Sequence, residues 1–422
     1  MTEKLFYEDS HLSEFEAEVL SCLPSENVRG KYEVELDRTA FFPEGGGQYA
    51  DTGSLAVIPC VTGEEEGREA LARILDVQEK EGRILHLADG PLAEGCRVKG
   101  CIDWDERFMK MQQHTGEHIV SGIIHARFGY NNVGFHLGSE DCTMDFNGGI
   151  TEGELGEIEL AANRAVWANL PVVTLYPSRD ELEKMEYRSK IEIEGQVRII
   201  EIPGYDRCAC CAPHVDRTGE IGMIKLTNVQ RYKGGVRVTM LCGVRALRDY
   251  EVKQKQAKEV SAMLCAKENE TAEAVRHLKE ECAALKGGLA EQEKKLIRYK
   301  AERIPAGEDA VCVFSEDLQG DSLRILMNCI LDAGHKLCAV LGENSGKKGE
   351  KSGGNSAADG GDGKTYRYVI GSRSVDVRPL AKQFNARFGG RGGGKPEMVQ
   401  GTVQAVVQAE AESWILEKAG EL

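Results

Sequence analysis

The sequence predicts an α+β protein of four domains: a β-barrel-like domain (1–95), an α/β domain rich in histidine and cysteine (96–245), a helical linker or arm (246–303) and a C-terminal α/β domain (304–422). Short apolar runs separated by turn residues predict the barrel. Apolar residues three and four positions apart predict a coiled-coil-like arm. Strand and helix patterns alternate in the last domain, which is typical of an α/β fold.

The composition is globular, with 41% hydrophobic and 29% charged residues, and allows several hydrophobic cores. No apolar run is long enough to span a bilayer, and the N-terminus lacks the apolar region of a signal peptide. We therefore expect a cytoplasmic protein with no membrane partner, whose 14 cysteines are thiols or metal ligands. The net charge of -16 argues against a generally basic nucleic-acid-binding surface but allows a local basic groove.

The barrel prediction rests on five short runs: Leu5–Tyr7, Arg29–Asp37, Ser54–Ile58, Ala72–Val77 and Arg83–Leu87. A loop between the second and third runs contains Gly45, Gly46 and Gly47, which allow a tight turn or a close backbone approach. Three glycines alone indicate a flexible hairpin tip. The nearby Gln48 and Asp51 favour a loop of defined shape.

The second domain is predicted to begin with a helix that Asp103 or Asp105 caps and Gly129 ends. Two strands around a turn follow within 132–146, and a second amphipathic helix covers 152–169. Four further strands are predicted at Pro171–Tyr176, Gln196–Ile202, Gly222–Thr227 and Gly235–Leu241.

The arm is predicted from a seam of residues spaced three and four apart: Val275, Leu278, Cys282, Leu285, Leu289, Gln292, Leu296 and Tyr299. This seam favours a helical hairpin or a dimer-forming arm, and a single linker helix is the alternative. The last domain is predicted to contain the strands Ala310–Phe314, Lys336–Leu341 and Tyr366–Ile370, the helices Ser322–Ala333 and Val377–Phe388, and a closing helix around Trp414. The Gly-, Ser- and Lys-rich residues 342–364 predict a disordered loop.

Two residue pairs predict a metal site. His114 and His118 lie four residues apart on the first helix and therefore on one face. Cys210 and His214 have the same spacing. Three imidazoles and one thiolate suit Zn²⁺, whereas Mg²⁺ and Ca²⁺ prefer oxygen ligands. Cys208 or Cys211 could replace Cys210 in this set.

Two further interpretations of these residues stay open. The spacing of Cys208 and Cys211 also allows a redox pair. A site closed by four protein ligands is structural, whereas an open one activates water or polarises an ester carbonyl.

A hydrolase would need a pocket, and the candidate lining residues are Thr115, Glu117, His136, Ser139 and Asp145. Glu117 stands third after His114 rather than next to it, so the pattern is not that of a His-Glu-x-x-His metalloprotease.

His114-x-x-x-His118 with Cys210-x-x-x-His214 resembles the editing domain of alanyl- and threonyl-tRNA synthetases. The alanyl branch is favoured by Phe42–Gly53, Val215–Gly222, Lys233–Arg237 and Gly243–Leu247. The stretch Gly389–Gly401 resembles the glycine-rich motif of the DHH-associated domain that ends alanyl-tRNA synthetases. The whole chain is similar to the free-standing alanyl-tRNA editing proteins of the long AlaX type.

This resemblance implies a hydrolase that deacylates mischarged tRNA(Ala), chiefly Ser-tRNA(Ala) and secondarily Gly-tRNA(Ala). It implies one Zn²⁺ per chain on the four residues named above, with Thr115, His136 and Ser139 as candidate catalytic or pocket residues. The expected partner is tRNA(Ala) carrying a wrong amino acid, with the arm and the C-terminal domain assisting a homodimer. ATP binding, as in synthetases, is a further expectation.

The sequence departs from the family pattern at two positions in the site. Cys210-Cys-Ala-Pro-His214 replaces the common Cys-Gly-Gly-Thr-His, and His136 stands where a glutamine is frequent. The candidate RNA contacts are the basic residues Arg231, Lys233, Arg237, Arg245, Arg387, Arg391 and Lys395. The alternative functions are editing of Ser-tRNA(Thr) and a non-catalytic, zinc-stabilised RNA-binding protein. A phosphodiesterase is disfavoured because the sequence has no Asp-His-His motif.

Overall fold

The computed structural model describes residues 2–59, 71–139, 141–189, 197–343 and 364–421. The chain forms two compact units, Met1–Glu259 and Val260–Leu422. The barrel and the histidine-rich domain therefore lie in one unit, and the segment predicted as a helical arm is divided between the two. No helix in the described ranges is long and apolar enough to cross a membrane.

The first unit begins with a closed barrel of six strands in the order β2-β3-β7-β6-β5-β8. The strands of this region are β1 (Glu3–Lys4), β2 (Glu14–Pro24), β3 (Tyr32–Leu36), β4 (Arg38–Thr39), β5 (Gly53–Val57), β6 (Leu71–Lys80), β7 (Arg83–Ala88) and β8 (Arg97–Ile102). Because β8 closes the barrel, the barrel extends beyond the predicted end at residue 95. Phe15, Ala17 and Val19 alternate along β2 and point into the barrel core.

The predicted strand Leu5–Tyr7 is instead a short 3-10 helix. The backbone N–H groups of Glu8 and Asp9 both donate to the carbonyl of Leu5 at 3.0 Å, which closes a helical turn. This turn places Phe6 in the barrel core at 1% exposure. The apolar character of Leu5–Tyr7 is therefore explained by the burial of Phe6 and not by pairing in a strand.

A buried histidine in the barrel predicts an acid-sensitive fold. His86 contacts the Thr39 hydroxyl at 2.9 Å and the Val34 carbonyl at 3.0 Å, and burial lowers the pKa of His86 to about 4. In the unfolded chain the His86 side chain takes up a proton near pH 6.5, whereas in the folded protein it does so only near pH 4. The free energy of unfolding should therefore be highest above pH 6.5 and should fall as the pH decreases towards 4. The difference between the two pKa values corresponds to a decrease of roughly 3 kcal/mol in the free energy of unfolding.

Thermal unfolding of the wild type and of His86→Gln between pH 4 and 7.5 measures this effect. We expect a shallower acid dependence in the variant, which lacks the titrating ring. Equal slopes for the two proteins would contradict the prediction.

The rest of the first unit contains a long helix packed on a four-stranded sheet. Helix α1 (Trp104–Phe128) begins after Asp103 and ends at Gly129, whose left-handed φ of 71° suits glycine. The following elements are β9 (Asn132–Leu137), β10 (Cys142–Phe146), α2 (Glu152–Trp167), β11 (Val173–Leu175), α3 (Arg179–Leu182), β12 (Ile199–Ile202), β13 (Asp206–Ala209), β14 (Ile224–Tyr232) and β15 (Gly235–Cys242). The sheet has the order β14-β15-β10-β9, and β11-β12-β13 form a second sheet. The inner face of the first sheet and helices α1 and α2 share one apolar core.

The predicted arm is helical. It comprises α4 (Gly243–Leu264) and α5 (Thr271–Glu302). On α5, Leu278, Leu285 and Leu289 of the predicted seam are exposed, whereas Ile297 is buried against helix α6 (Asp321–Asp332). A coiled-coil partner for the exposed seam, and the homodimer it would form, stay predictions.

The second unit is built on a mixed sheet with the order β16-β17-β18-β20-β19. Its remaining elements are β16 (Ala310–Ser315), β17 (Leu337–Glu343), β18 (Lys364–Ser372), α7 (Arg378–Arg387), β19 (Arg391–Lys395), β20 (Met398–Val406) and α8 (Gln408–Ala419). Alternate residues of β17 join two different apolar clusters, so its continuous apolar run is explained by burial on both faces. The glycine-rich stretch forms the antiparallel pair β19–β20. The disordered loop is predicted at 342–364, but Gly342 and Glu343 belong to β17 and Lys364 begins β18. Residues 344–363 lie outside the described ranges.

Candidate metal centre

The four predicted metal ligands come together in the first unit. His114 and His118 project from α1 one turn apart. Cys210 and His214 follow the end of β13, which packs against α1. The ligand atoms of these four residues all lie within 4.8 Å of one another, and the three histidines are buried. The structure thus brings the two sequence-distant pairs into one cluster.

The Nε2 atoms of the histidines face the cysteine sulfur. The Sγ of Cys210 is 3.5 Å from His114 Nε2 and 3.4 Å from His214 Nε2. The His118 and His214 rings are nearly perpendicular, with centroids 4.7 Å apart. Three imidazole nitrogens and one sulfur converging in this way form the donor set that tetrahedral Zn²⁺ takes.

Each imidazole is fixed through its other nitrogen. His114 Nδ1 contacts the Gln48 side-chain oxygen at 3.0 Å, His118 Nδ1 contacts Asp206 at 2.8 Å, and His214 Nδ1 contacts the Thr115 hydroxyl at 3.1 Å. Such contacts select the tautomer that leaves Nε2 free for a metal. All three histidines therefore meet the requirement for zinc ligands.

The charges of the cluster also suit a divalent cation. Burial raises the pKa of the Cys210 thiol, but the neighbouring His114 and His214 lower it further, and the pKa lies well below its usual value. Burial lowers the pKa of His214 to about 3. His118 differs: burial alone would lower its pKa, but the hydrogen bonds to Asp206 and Cys210 and the nearby negative charges together raise the pKa to about 10. Zinc would therefore meet a thiolate and one neutral imidazole, and would displace a proton from His118.

The two other nearby cysteines occupy different surroundings from Cys210. The Cys208 thiol is buried and contacts the carbonyl of Ala209 at 3.6 Å. The Cys211 sulfur lies beside the glycine loop, 3.4 Å from where a Cβ on Gly46 would stand. Cys208 also forms a second close group with His118 and Asp206. Only Cys210 belongs to the group that contains all three histidines, so it is the best thiolate ligand.

The glycine loop lies against the metal cluster. A Cβ on Gly46 would be 3.9 Å from the His114 ring, and Gln48, at 1% exposure, reaches His114 Nδ1. There is no room for a side chain at Gly47, because a Cβ there would lie 2.6 Å from the Phe135 carbonyl oxygen. The loop therefore has a defined shape, as Gln48 and Asp51 favour in the sequence, and it fixes the ring of the predicted metal ligand His114.

We expect Gly47→Ala to displace this loop and to weaken metal binding. Gly47 has φ +82°, so an alanine adds backbone strain to the clash with Phe135, together about 2–4 kcal/mol. Gly45→Ala is the matched control, because its Cβ would meet neighbouring atoms only at 3.8–4.0 Å. Thermal unfolding and zinc affinity of both variants measure the difference, and equal behaviour would refute the steric argument.

The predicted pocket residues have unequal relations to the cluster. Thr115 is fully buried, and its hydroxyl is shared between His214 Nδ1 and the Val215 N–H, which are contacts that orient a ligand. His136 is exposed on β9, next to Phe135, whose ring packs 4.8 Å from that of His114. Neighbouring strand residues point to opposite faces, so His136 points away from that ring.

Ser139, Asp145 and Glu117 complete the predicted pocket set. The carbonyl of Ser139 accepts a hydrogen bond from Arg245 at 2.8 Å. Asp145 binds Arg237 through two contacts, at 2.7 and 2.8 Å. Glu117 is buried, and its Oε2 lies 3.9 Å from His118 Nε2. Of these three, Glu117 therefore lies beside a predicted metal ligand.

The predicted RNA-binding residues fall into two groups. Arg231 and Lys233 are exposed near the turn between β14 and β15, and Arg391 and Lys395 are exposed on β19. Arg237 is engaged by Asp145 and also stacks 3.9 Å from the centre of the Tyr232 ring.

Two other basic candidates are already engaged. Arg245 is buried, and Arg387 donates to Glu410 at 2.8 Å. The exposed group is therefore the better set for phosphate contacts.

Sequence reasoning missed two residues of the site. Asp206 holds His118, and Arg188 in turn holds Asp206 through contacts of 2.7 and 2.8 Å. The signal for Asp206 is present in the sequence, because Asp206 and Cys208 alternate along β13 and therefore share a face, and Cys210 continues this spacing directly after the strand. No local pattern marks Arg188, whose role depends on tertiary packing.

Comparison with known proteins identifies two regions of the chain. Residues 197–239, which include Cys210 and His214, match the model of the Threonyl and Alanyl tRNA synthetase second additional domain. Residues 308–421 match the model of the DHHA1 domain.

The chain is also similar to several alanine–tRNA ligases. It is 28% identical to that of Archaeoglobus fulgidus over 424 residues, which cover 97% of this chain and 43% of the relative. It is 30% identical to that of Pyrobaculum neutrophilum over 438 residues (98% and 44%), and 34% identical to that of Thermofilum pendens over 316 residues (72% and 32%). The chain spans less than half the length of these relatives. The predicted resemblance is therefore confirmed: the chain is related to alanyl-tRNA synthetases over nearly its whole length and contains matches to the second additional domain and the DHHA1 domain.

Proposed function

We propose that this protein hydrolyses the ester bond of mischarged tRNA(Ala), chiefly Ser-tRNA(Ala), with Gly-tRNA(Ala) as a secondary substrate. The observation that carries the proposal is the buried cluster of three histidines and Cys210, in which every histidine Nδ1 is fixed by a neighbour. The relationship to alanine–tRNA ligases supports the choice of tRNA.

The residues of this chain would hold and orient the reacting groups. His114, His118, Cys210 and His214 would bind the zinc, which supplies a Lewis acid able to polarise the ester carbonyl. Gln48, Asp206 and Thr115 would keep the imidazoles in place. An aminoacyl ester is already activated, so a positioned carbonyl and water are sufficient.

Discrimination of serine from alanine requires a hydrogen bond to one hydroxyl group. A site built to hydrogen-bond a hydroxyl discriminates strongly against the analogue that lacks it. We propose Ser139 for this contact, because the other candidate, His136, points away from the His114 ring. Thr115 would not contact the substrate; its hydroxyl would instead hold the His214 ring in place.

Deacylation assays with Ser-, Gly- and Ala-tRNA(Ala), and with Ser-tRNA(Thr), test the proposal. We expect rapid loss of serine from tRNA(Ala), slower loss of glycine and protection of alanine, with no such activity in His114→Ala. Preferential hydrolysis of Ser-tRNA(Thr) would replace the proposed substrate with the threonyl alternative. Equal hydrolysis of all esters, or of none, would refute the proposal.

One observation favours a second candidate function. Four protein ligands satisfy a tetrahedral zinc, and such closed sites are usually structural. The protein would then be a zinc-stabilised RNA-binding protein without activity. Stoichiometric zinc and tight binding of tRNA(Ala), together with no deacylation of Ser-tRNA(Ala), would establish this alternative.

The tRNA partner predicts a salt-dependent interaction through the exposed basic residues. Replacing Arg391 and Lys395 together by alanine should reduce the slope of log affinity against log salt concentration by roughly 1.5, because each phosphate contact contributes about 0.7–0.9. Arg378→Ala is the matched control, since Arg378 is paired with Asp376 at 2.7 Å. Equal slopes for the double variant and the control would remove β19 from the proposed RNA contact.

A further inference from the structure

Arg245 is a buried arginine in the first turn of helix α4, and its guanidinium group binds the backbone of a chain turn. The side chain is 7% exposed. Its Nη2 donates to the carbonyls of Gly138 and Ser139, both at 2.8 Å, and its Nη1 donates to the carbonyl of Asp141 at 3.3 Å. These three carbonyls belong to the turn that connects β9 to β10. One side chain therefore holds the shape of that turn.

The same guanidinium group also reaches the glycine loop. Arg245 Nη2 lies 3.4 Å from the Tyr49 hydroxyl, which is itself fixed by a hydrogen bond to Glu106. Tyr49 directly follows Gln48, whose side-chain oxygen contacts His114 Nδ1 at 3.0 Å. Arg245 thus connects the turn after β9 to the loop that orients a predicted metal ligand.

The backbone joins the turn and the glycine loop a second time. The N–H of Leu137, the last residue of β9, donates to the carbonyl of Gly47 at 2.9 Å. Two residues further along the chain, Ser139 is exposed, and its hydroxyl forms no hydrogen bond to another residue of the described ranges. The hydroxyl is therefore available to a bound molecule, while the backbone that carries it is fixed by Arg245.

The first turn of α4 gives Arg245 a fixed base. The N–H of Gly243 donates to the Met223 carbonyl at 2.9 Å, and the N–H of Val244 donates to the Gln112 side-chain oxygen at 3.3 Å. Gln112 lies on α1, the helix that carries two of the predicted metal ligands. The arginine is thus anchored to the same helix as the site whose geometry it would control.

We propose that Arg245 is a positioning residue for substrate selection, which holds the Ser139 hydroxyl where it can hydrogen-bond to the side-chain hydroxyl of a seryl ester. The inference rests on the proposed hydrolysis of Ser-tRNA(Ala). A hydrogen bond between two hydroxyl groups needs an oxygen–oxygen distance of about 2.5–3.0 Å, so a turn displaced by ~1 Å would lose it. Alanyl esters lack the hydroxyl and should not depend on Arg245 in this way.

The arrangement of three carbonyls requires an arginine. A guanidinium group presents five N–H donors in a planar fork and can bind several carbonyls from two nitrogen atoms. A lysine ammonium keeps the charge but is a compact group without this fork. Arg245→Lys should therefore loosen the turn while it leaves the charge of the first unit unchanged.

Two stable analogues test the proposal by binding. One is 3′-amino-3′-deoxyadenosine joined by an amide to L-serine, and the other carries L-alanine in its place. For the zinc-loaded wild type we expect the serine compound to bind about 5–10-fold more tightly, the ratio that one neutral hydrogen bond supplies. Zinc content and thermal unfolding, measured for every protein, establish whether the metal site and the fold are intact.

The variant Arg245→Lys should lower the ratio of the two affinities to about 1–2 by weakening the binding of the serine compound. The affinity for the alanine compound should stay close to that of the wild type. A merely structural role of Arg245 would instead weaken both compounds by the same factor and leave the ratio unchanged. Arg248→Lys is the matched control, because Arg248 is an exposed arginine one turn further along α4 and should keep the wild-type ratio.

A double variant identifies the residue through which Arg245 acts. Ser139→Ala alone should bring the ratio close to 1, and the addition of Arg245→Lys should not change the ratio further. Tyr49→Phe removes only the hydroxyl beside Arg245 and should lower the ratio by a smaller factor. This variant keeps the inference testable if Arg245→Lys does not fold.

The outcomes separate this inference from the proposed function. Equal binding of the two analogues by the wild type would overturn the inference, as would the wild-type ratio in a zinc-replete Arg245→Lys or Ser139→Ala protein. If Arg245→Lys does not fold, an unchanged ratio in Tyr49→Phe would overturn it. A wild type that prefers the serine compound but does not deacylate Ser-tRNA(Ala) would refute the catalytic proposal, and the ratios of the variants would still decide the role of Arg245.

Discussion

His118→Ala is expected to lose stoichiometric zinc and to lose deacylation of Ser-tRNA(Ala) by about a thousandfold or more. The substitution removes one of four donors that lie within 4.8 Å of one another. It also leaves Asp206, whose side chain is 2% exposed, without the imidazole that it contacts at 2.8 Å. Both changes act on the same buried cluster, so the loss of metal and the loss of stability should occur together.

A milder variant distinguishes the loss of a predicted metal ligand from the loss of the residue that orients it. Asp206→Asn keeps all four predicted ligands and weakens the contact that fixes His118, together with the ion pair to Arg188. We therefore expect a roughly 10–100-fold lower zinc affinity, and thermal unfolding of the variant measures the separate cost of the weakened ion pair. His277→Ala, which removes an exposed histidine on α5, is the control.

Mass spectrometry of the native protein and competition with a chelator measure zinc in each case. Full zinc content and the wild-type rate in His118→Ala would exclude His118 as a ligand.

The clustering of His114, His118, Cys210 and His214 could be predicted from the sequence because the pattern that marks these residues is local. Each pair depends on a spacing of four residues within one short segment, and two such pairs are enough to indicate a zinc site. The partners that orient the ligands are not local: Gln48 is 66 residues from His114, and Asp206 is 88 residues from His118. Their roles arise only when the barrel loop and β13 pack against α1.

The fold shows the same division between local and tertiary information. The C-terminal end of α1 follows from Gly129, whose left-handed φ ends the helix, whereas the predicted cap Asp103 makes no side-chain hydrogen bond to the helix and instead accepts from Thr52 and Arg73. Strand β2 was missed although Phe15, Ala17 and Val19 alternate with glutamates, because glutamate and alanine also favour helix. The barrel is closed by β8, which pairs with both β2 and β5, and no pattern inside that strand reveals this closure.

Asp51→Asn is expected to destabilise the first unit by about 3–5 kcal/mol, the usual cost of removing one partner from a buried ion pair. The Asp51 carboxylate accepts hydrogen bonds from Arg107 Nε at 2.7 Å and from the Phe42 N–H at 2.8 Å, and Lys110 lies 3.3 Å away. Arg107 and Lys110 are both fully buried. Without the carboxylate, two cations would remain in the interior with no compensating negative charge from Asp51.

Chemical unfolding of Asp51→Asn and of the exposed-site control Asp105→Asn measures this cost, and a loss below 1 kcal/mol would show that Asp51 does not anchor the unit. Lys110→Met should destabilise the wild type, because Lys110 Nζ also donates to the Ala50 carbonyl at 2.6 Å.

In the Asp51→Asn background the same lysine substitution should cost less or become stabilising, since it removes one of the two uncompensated cations. The difference between backgrounds is the coupling energy of the pair. Asp51 also fixes the start of the loop that carries Gln48 to His114. Zinc affinity and stability should therefore both fall in Asp51→Asn. In the double variant Asp51→Asn/Lys110→Met, zinc affinity should recover only to the extent that the loop carrying Gln48 regains its position.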